Sequence, residues 1–398
     1  MNKKKIFISL QKIIDIGGIS TSVLNLLNEI HGEYDITLCT TENYISPHVN
    51  IPTDVHILNG SSIIGDSINY RTLLSEQNIV RKLWRMLVRL MRRILGMRFI
   101  VDCGMKQIKV PNVTYDAAIA FSNDIYSNGK LSEGGDYDLI IHKVKAKRKV
   151  AWMHNDLQKE GYDHDICLRA FRDFDAIVNV SKDNKALFDS VIPEYAIKSH
   201  IVYNTYDINR IINSAQEPNP YRNDGKLHLV TVARVGIRQK RIDRIVETCK
   251  RLKEDDISNF TWTIVGDGVE RASLEKLSLE YGLTDILKFV GLKTNPYPYM
   301  YYADAFVLSS LYEGLPMTIM EAKILCCPIL TTNFGSAIEA VKDGFEGRIC
   351  DNSTEGVYEM VKNVLQSPEE LKSYRNYLKD HPITNEVAIA QFKEVCGL

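Results

Sequence analysis

Glu313 and Glu321 bracket the run Tyr312-Glu-Gly-Leu-Pro-Met-Thr-Ile-Met-Glu-Ala322, which directly follows the apolar stretch Ala305–Leu308. The stretch reads as a buried strand, and Pro316 suits the first position of a helix, where its missing N–H costs nothing. The amides of Met317, Thr318 and Ile319 would then lack intrahelical partners, and such an N-terminus favours anions. One carboxylate can face a sugar undergoing transfer while the other reaches a ribose. Taken alone, the pair is equally readable as a loop glutamate and a solvated helix glutamate.

A second cluster is Val230-Thr-Val-Ala-Arg-Val-Gly-Ile-Arg-Gln-Lys-Arg-Ile-Asp243. A buried strand runs out into Arg234, and a polar loop carries Lys240 to the next helix. Arginine offers a planar fork of donors and lysine a point charge, so the two could clamp a diphosphate. Arg238 and Arg241 share the loop as solvated cations. The bland alternative is four surface cations at a strand-to-helix turn.

Gly266-Asp267-Gly268 and Gly291 follow two further apolar runs, and Gly17-Gly18 follows the first. Glycines at strand ends permit close backbone approach to a ligand, although they also serve ordinary turns. The Gly17-Gly18 turn is not GxGxxG, so a dinucleotide fingerprint is a poor reading. His154 ends the run Trp152-Met-His-Asn155, where an isolated histidine is as readily structural as functional. Three D-x-D pairs, Asp136/Asp138, Asp163/Asp165 and Asp173/Asp175, all lie in the N-terminal half. Charge-rich loops generate such pairs by chance, and no metal site is expected from them.

Residues 79–99 carry seven Lys/Arg and no acid. Arg81, Arg85, Arg89 and Arg92 fall at helical spacing on one face, with Leu83, Leu87, Leu90 and Ile94 largely elsewhere. That is the pattern of a basic amphipathic helix lying on an anionic membrane surface. Its alternative is a helix packed on its own domain with a solvated basic face.

These residues need a scaffold, and the 398-residue chain is too long for one ordinary core. Apolar residues make up 45% and charged residues 25%, and the formal net charge is -1. No global field draws the chain to nucleic acid. Eight scattered cysteines without a CxxC pair fit reduced thiols in a cytoplasmic protein. No stretch approaches the ~18 to 20 apolar residues that span a bilayer, and the start lacks a signal-peptide pattern.

Apolar runs alternate with helical patterns throughout, the mark of an α/β chain with parallel sheets. The first series is expected at Lys5–Leu10, Ile36–Thr40, Val55–Leu58, Ala117–Phe121, Val150–His154 and Ala176–Val180. A second begins at Leu227–Val232 and continues at Thr261–Val265, Leu287–Val290, Ala305–Leu308 and Ile329–Thr332. The domains expected are 1–206, a polar linker at 207–225, and 226–380, with a C-terminal helix in 381–398 returning to the first domain.

In this order, Gly17-Gly18, His154, Arg234, Lys240, Gly266-Asp267-Gly268 and Glu313/Glu321 at E-x7-E spacing resemble the retaining glycosyltransferases of the GT-B fold, family 4. The resemblance implies two Rossmann-like domains facing across a cleft. It implies that Arg234 and Lys240 hold the diphosphate of a nucleotide-sugar donor and Glu321 the ribose hydroxyls. Glu313 lies near the donor sugar, and Gly17-Gly18 approaches the phosphates from the other domain. His154 contacts the sugar. Gly266, Asp267, Gly291, Leu315, Met317 and Thr318 complete the donor-binding set. Fixed cations make a metal redundant, so no cofactor is expected beyond the UDP- or GDP-sugar substrate. The expected acceptor is a lipid-linked glycan of cell-surface polysaccharide biosynthesis, read by loops around 43–77 and 122–147. The expected location is the inner face of a membrane, with 79–99 as the contact. Two other readings stand beside this one: a sugar-nucleotide epimerase of the same fold, and a non-catalytic sugar-nucleotide-binding subunit.

Overall fold

The computed structural model describes residues 3–15, 17–68 and 77–398. It divides into two compact units: Met1–Tyr206 with Asn385–Leu398, and Asp207–Thr384.

The first unit is built on β1 (Lys5–Leu10), β2 (Asp35–Thr40), β3 (His56–Leu58), β4 (Thr114–Ala120), β7 (Lys145–Met153), β8 (Ala176–Asn179) and β9 (Ser199–Ile201). They form one sheet of order β3-β2-β1-β4-β7-β8-β9, and β5 (Ile125–Ser127) pairs with β6 (Lys130–Glu133) in a separate hairpin. All pairs in the large sheet are parallel. Continuous apolar runs such as Ile6–Leu10 are buried throughout, as strands covered on both faces must be. The order reverses between β1 and β4, so the loops after these strands open the crevice where α/β sheets bind ligands.

The second unit repeats the plan with β10 (Leu227–Val232), β11 (Phe260–Val265), β12 (Leu287–Gly291), β13 (Ala305–Leu308), β14 (Ile329–Thr332) and β15 (Gly347–Cys350). Their order is β12-β11-β10-β13-β14-β15, all parallel, and the reversal falls between β10 and β13. A core of Trp262, Phe260, Ile245, Val246 and Val361 packs the helices onto this sheet.

All eleven expected strands occur, most with ends moved by one to five residues. β9, β15 and the hairpin were not anticipated, because Ser199-His-Ile201 and Gly347-Arg-Ile-Cys350 are short and carry no apolar run. Segment 207–225 is not a bare linker. Ile208–Ser214 is a helix whose N-terminus is capped by Asp207, which accepts from the Arg210 amide at 3.0 Å. It packs against the helices Tyr297–Tyr301 and Met317–Ile324.

The last helix, Glu386–Cys396, belongs to the first unit. Asn385 exchanges two hydrogen bonds with the backbone of Tyr206, and Phe392 is buried beside Trp152. Of the loop expected at 43–77 to read an acceptor, residues 69–76 lie outside the described residues.

The basic helix spans Ile79–Met105 but is broken at Gly96, where φ is 83° and ψ 170°. The arginine row expected on an anionic surface instead faces the protein. Arg85 pairs with Asp66 at 2.8 Å, Arg89 donates to the Asp66 carbonyl at 3.2 Å, and Arg92 donates to the carbonyls of Ser67 and Ser132. The cause is the helix Ser62–Ile68, whose last-turn carbonyls need donors that its own backbone does not supply.

Candidate active site

The loops at the switch point of the second unit carry Arg234 and Lys240 after β10 and Glu313 after β13. Their side chains form one continuous network. Lys240 Nζ lies 2.5 Å from Glu313 Oε1, which also accepts from Ser310 Oγ at 2.6 Å. Gln239 Nε2 donates to Glu313 Oε2 at 3.3 Å, while Gln239 Oε1 accepts from exposed Arg234 at 3.2 Å. Glu313 is largely shielded from solvent, so the Lys240 ammonium compensates its carboxylate where water cannot.

Backbone contacts fix the loop. The Leu311 amide donates to the Gln239 carbonyl, and Ser309 Oγ donates to the carbonyls of Lys240 and Arg241. Beneath them lies buried Arg244, which donates to Ser309 O at 3.2 Å and Asn352 Oδ1 at 2.7 Å. Asn352 in turn donates to the carbonyls of Leu311 and Asn333. The loop expected to hold a ligand is thus cross-braced before any ligand arrives.

Met317–Ile324 forms the expected helix, with Pro316 one residue before its start in extended conformation. Ile319 does not offer a free amide, because its N–H donates to the Pro316 carbonyl at 3.2 Å. No side chain caps this N-terminus, and half-buried Met317 and Thr318 stand at it. Leu315 is also half-buried beside them.

Glu321 is not part of the Glu313 network. It is buried beneath Tyr297, whose hydroxyl donates to Oε1 at 3.4 Å and lies 3.5 Å from Arg210. Burial pushes its carboxyl up to about 7, against smaller lowering effects of Tyr297 and Arg210.

Gly266 and Gly268 do allow a close approach, but the partner is protein. A Cβ on either would meet the carbonyl of Ala233 or Val235 at 1.9 Å. The Val235 amide donates to the Asp267 carbonyl at 3.0 Å, and the Gly266 amide to the Gly291 carbonyl at 2.9 Å. These glycines therefore hold the Arg234 loop against its neighbours.

In the first unit, Gly17 and Gly18 sit at the start of the helix Gly18–Ile30, which has no side-chain cap. His154 follows β7 and is buried against Phe121 and Trp152. Its Nε2–H donates to the Phe121 carbonyl at 2.8 Å, and burial brings its pKa down to about 4. The ring is neutral at physiological pH, an orienting or hydrogen-bonding group rather than a cation.

The D-x-D pairs have structural tasks: Asp163 caps the helix His164–Phe171, Asp138 pairs with Arg98, and Asp175 accepts from the Lys149 amide. Among the described residues no three His, Cys, Asp or Glu side chains are grouped as metal ligands. Sequence reasoning missed Gln239, Ser310, Arg244, Asn352, Tyr297 and Arg210. Gln239 had a signal, lying beside Lys240 in the quoted loop, while the others come from distant elements.

Comparison with known proteins places this geometry. Residues 214–381 match the family described as glycosyl transferases group 1. An uncharacterized glycosyltransferase of Methanocaldococcus jannaschii is 29% identical over 205 residues, 48% of this chain and 50% of that protein. N-acetylgalactosamine-N,N'-diacetylbacillosaminyl-diphospho-undecaprenol 4-alpha-N-acetylgalactosaminyltransferase of Campylobacter jejuni is 26% identical over 210 residues, 52% of this chain and 54% of that protein. The chain thus spans about half the length of these curated relatives. Among solved structures, Anabaena HepE in complex with UDP and glucose superposes with a TM-score of 0.66 at 14% identity, covering 100% of both chains. The fold is that of the GT-B glycosyltransferases.

Proposed function

The chain carries a glycosyl transferases group 1 domain over residues 214–381, and from that premise we propose a retaining glycosyltransferase. It moves a sugar from a UDP- or GDP-sugar to a lipid-linked glycan in cell-surface polysaccharide biosynthesis. The observation that carries this reading is the Arg234–Gln239–Glu313–Lys240 network at the β10/β13 switch point. It holds two cations and a carboxylate in one braced loop pair.

Breaking a sugar–phosphate bond leaves a more negative diphosphate and an oxocarbenium-like carbon. Arg234 offers its fork of donors to the diphosphate, and Lys240 adds a charge that Glu313 keeps in place. Preorganised groups of this kind supply much of the rate enhancement in such reactions. The Met317 and Thr318 amides face the same developing charge. Glu313 lies on the sugar side and Glu321 takes the ribose hydroxyls. From the first unit, His154 contributes a neutral ring to the sugar and Gly17-Gly18 an open turn. In the front-face route, the acceptor hydroxyl attacks the anomeric carbon as its proton passes to the leaving phosphate oxygen. The cations fill the role of a divalent ion, so transfer proceeds without metal.

UDP bound to HepE supports a uridine donor as the first to test, and the undecaprenol-linked substrate named for the Campylobacter relative supports a lipid-linked acceptor. The protein is assigned to the cytoplasmic face of a membrane, which it contacts through 79–99.

A thermal-shift panel of UDP, GDP and their sugars tests the reading. A ligand at a hundred times its Kd adds ~2.7 kcal/mol of stability. Transfer by the wild type is expected to survive EDTA. No stabilisation by any nucleotide would overturn the donor assignment, and loss of transfer in EDTA with rescue by manganese would overturn the cation clamp. Donor consumption without any acceptor would point to the epimerase reading.

A further inference from the structure

The helix before Gly96 has two opposed faces, and the structure accounts for only one. Val88 is buried and Arg85, Arg89 and Arg92 are tied to the protein, which fixes the inward side. On the opposite side Leu83, Leu87, Leu90 and Ile94, at i, i+4, i+7 and i+11, are 60%, 49%, 52% and 69% exposed. Ile79 and Met86 extend the same row and are exposed too. Isolated exposed apolar side chains are ordinary, but a continuous row along a helix marks an interaction surface.

We propose that this row is the part of the protein that enters the membrane, its occupant being the acyl-headgroup boundary of an anionic bilayer. The proposal rests on the membrane association given above, but it reverses which face makes the contact. The arginine row assembles the fold, and the apolar row meets lipid.

Charge and geometry select this occupant. Exposed Lys82 and Arg93 flank the apolar row on one side, and residues 79–95 contain no acid. A helix lying in the boundary with its cations among anionic headgroups satisfies both faces. Two copies packed through the same row would gather Lys82 and Arg93 from both chains with no acid on either helix to pair them. Among the described residues no helix is long and apolar enough to cross a membrane. The Gly96 break then separates two tasks. Residues 79–95 lie on lipid, while Met97, Ile100, Val101 and Gly104 lock the remainder onto the helix Ser62–Ile68.

The test is sedimentation of the full chain with phosphatidylcholine vesicles, with and without phosphatidylglycerol. Wild type should bind, favour the anionic vesicles, and keep part of its binding at 1 M salt, because apolar burial is not screened. The Leu83→Ser/Leu87→Ser/Leu90→Ser variant should lose binding at least about a hundredfold, each leucine contributing roughly tenfold. It should keep its nucleotide-induced thermal shift, which shows that the fold and the donor site survive. Lys82→Gln/Arg93→Gln should narrow only the preference for anionic vesicles.

A triple-serine variant that sediments like wild type would overturn the proposal, as would wild-type binding lost entirely at high salt. Wild type that ignores vesicles yet forms a dimer abolished by the serines would assign the face to a second copy. A chain that binds vesicles as described but no nucleotide would refute the donor assignment and leave this inference standing.

Discussion

Lys240 and Glu313 bear on catalysis and on folding at once, and the two effects separate by mutation. Lys240→Met removes a diphosphate contact and strands a shielded carboxylate. Turnover is expected to fall roughly 10²- to 10³-fold, as for deletion of a transition-state charge contact. Stability should fall by about 3 kcal/mol, the low end for breaking a buried pair, since Lys240 keeps 17% of its side chain exposed. Adding Glu313→Gln should restore most of the stability in denaturant titrations and none of the activity. Recovery of both would show the pair to be structural only. Glu321 supplies a pH dependence. Its folded carboxyl titrates near 7 against an ordinary 4.5, so the folded chain retains a proton that the unfolded chain has released between these values. That contribution to stability is complete below about pH 4.5 and is lost as pH rises through about 7. Asp124 of the first unit, fully buried and also pushed up to about 7, adds in the same direction. Thermal stability of the ligand-free protein should therefore decline from pH 5 to 8, less steeply in Glu321→Gln. An unchanged slope in that variant would place the titrating group elsewhere.

Among the elements, the helix Ile79–Met105 depends on its interruption. Gly96 adopts φ 83° and ψ 170°, a region that side-chain-bearing residues avoid, and nothing lies within 4 Å of a Cβ built there. Gly96→Ala therefore isolates backbone strain from clash, and it should cost about 1 to 3 kcal/mol. The loss should show as a lower melting temperature with donor turnover on a soluble acceptor analogue preserved. A neutral Gly96→Ala would mean that the two halves are joined by a continuous helix in solution. The helix Ile208–Ser214 shows how little a turn-rich segment reveals. Glu217-Pro-Asn-Pro-Tyr-Arg-Asn-Asp-Gly225 has linker composition, yet the residues just before it fold back on the second unit and bring Arg210 to Tyr297.

For the whole molecule, the division into units does not follow chain order. The last helix completes the first unit through Phe392, buried beside Trp152, and through Lys393 paired with Glu33 at 2.8 Å. Phe392→Ala should cost about 3 to 5 kcal/mol, as for other buried phenylalanines. The loss should register in the first unit: protease cleavage should accelerate at sites before residue 206, while nucleotide-induced stabilisation of the second unit persists. Uniform acceleration across both units would show that they unfold together.

The residues alone determined the α/β class, the two strand series, and the order in which Arg234, Lys240, Glu313 and Glu321 arrive. Apolar runs of strand length are legible because parallel strands are buried on both faces, and residues just past their ends emerge on one edge of the sheet. Partners set by packing at a distance were not legible. Nothing local links Gln239 or Ser310 to Glu313, places Tyr297 over Glu321, or brings Arg244 beneath Ser309. The basic helix makes the point most clearly. Its periodicity declares two opposite faces, one rich in arginine and one in leucine, but not which meets the protein. That was decided by the carbonyls ending the helix Ser62–Ile68 and by Asp66, which need donors. Periodicity records that a helix has two faces, and only the partners present in three dimensions fix which one is satisfied within the fold.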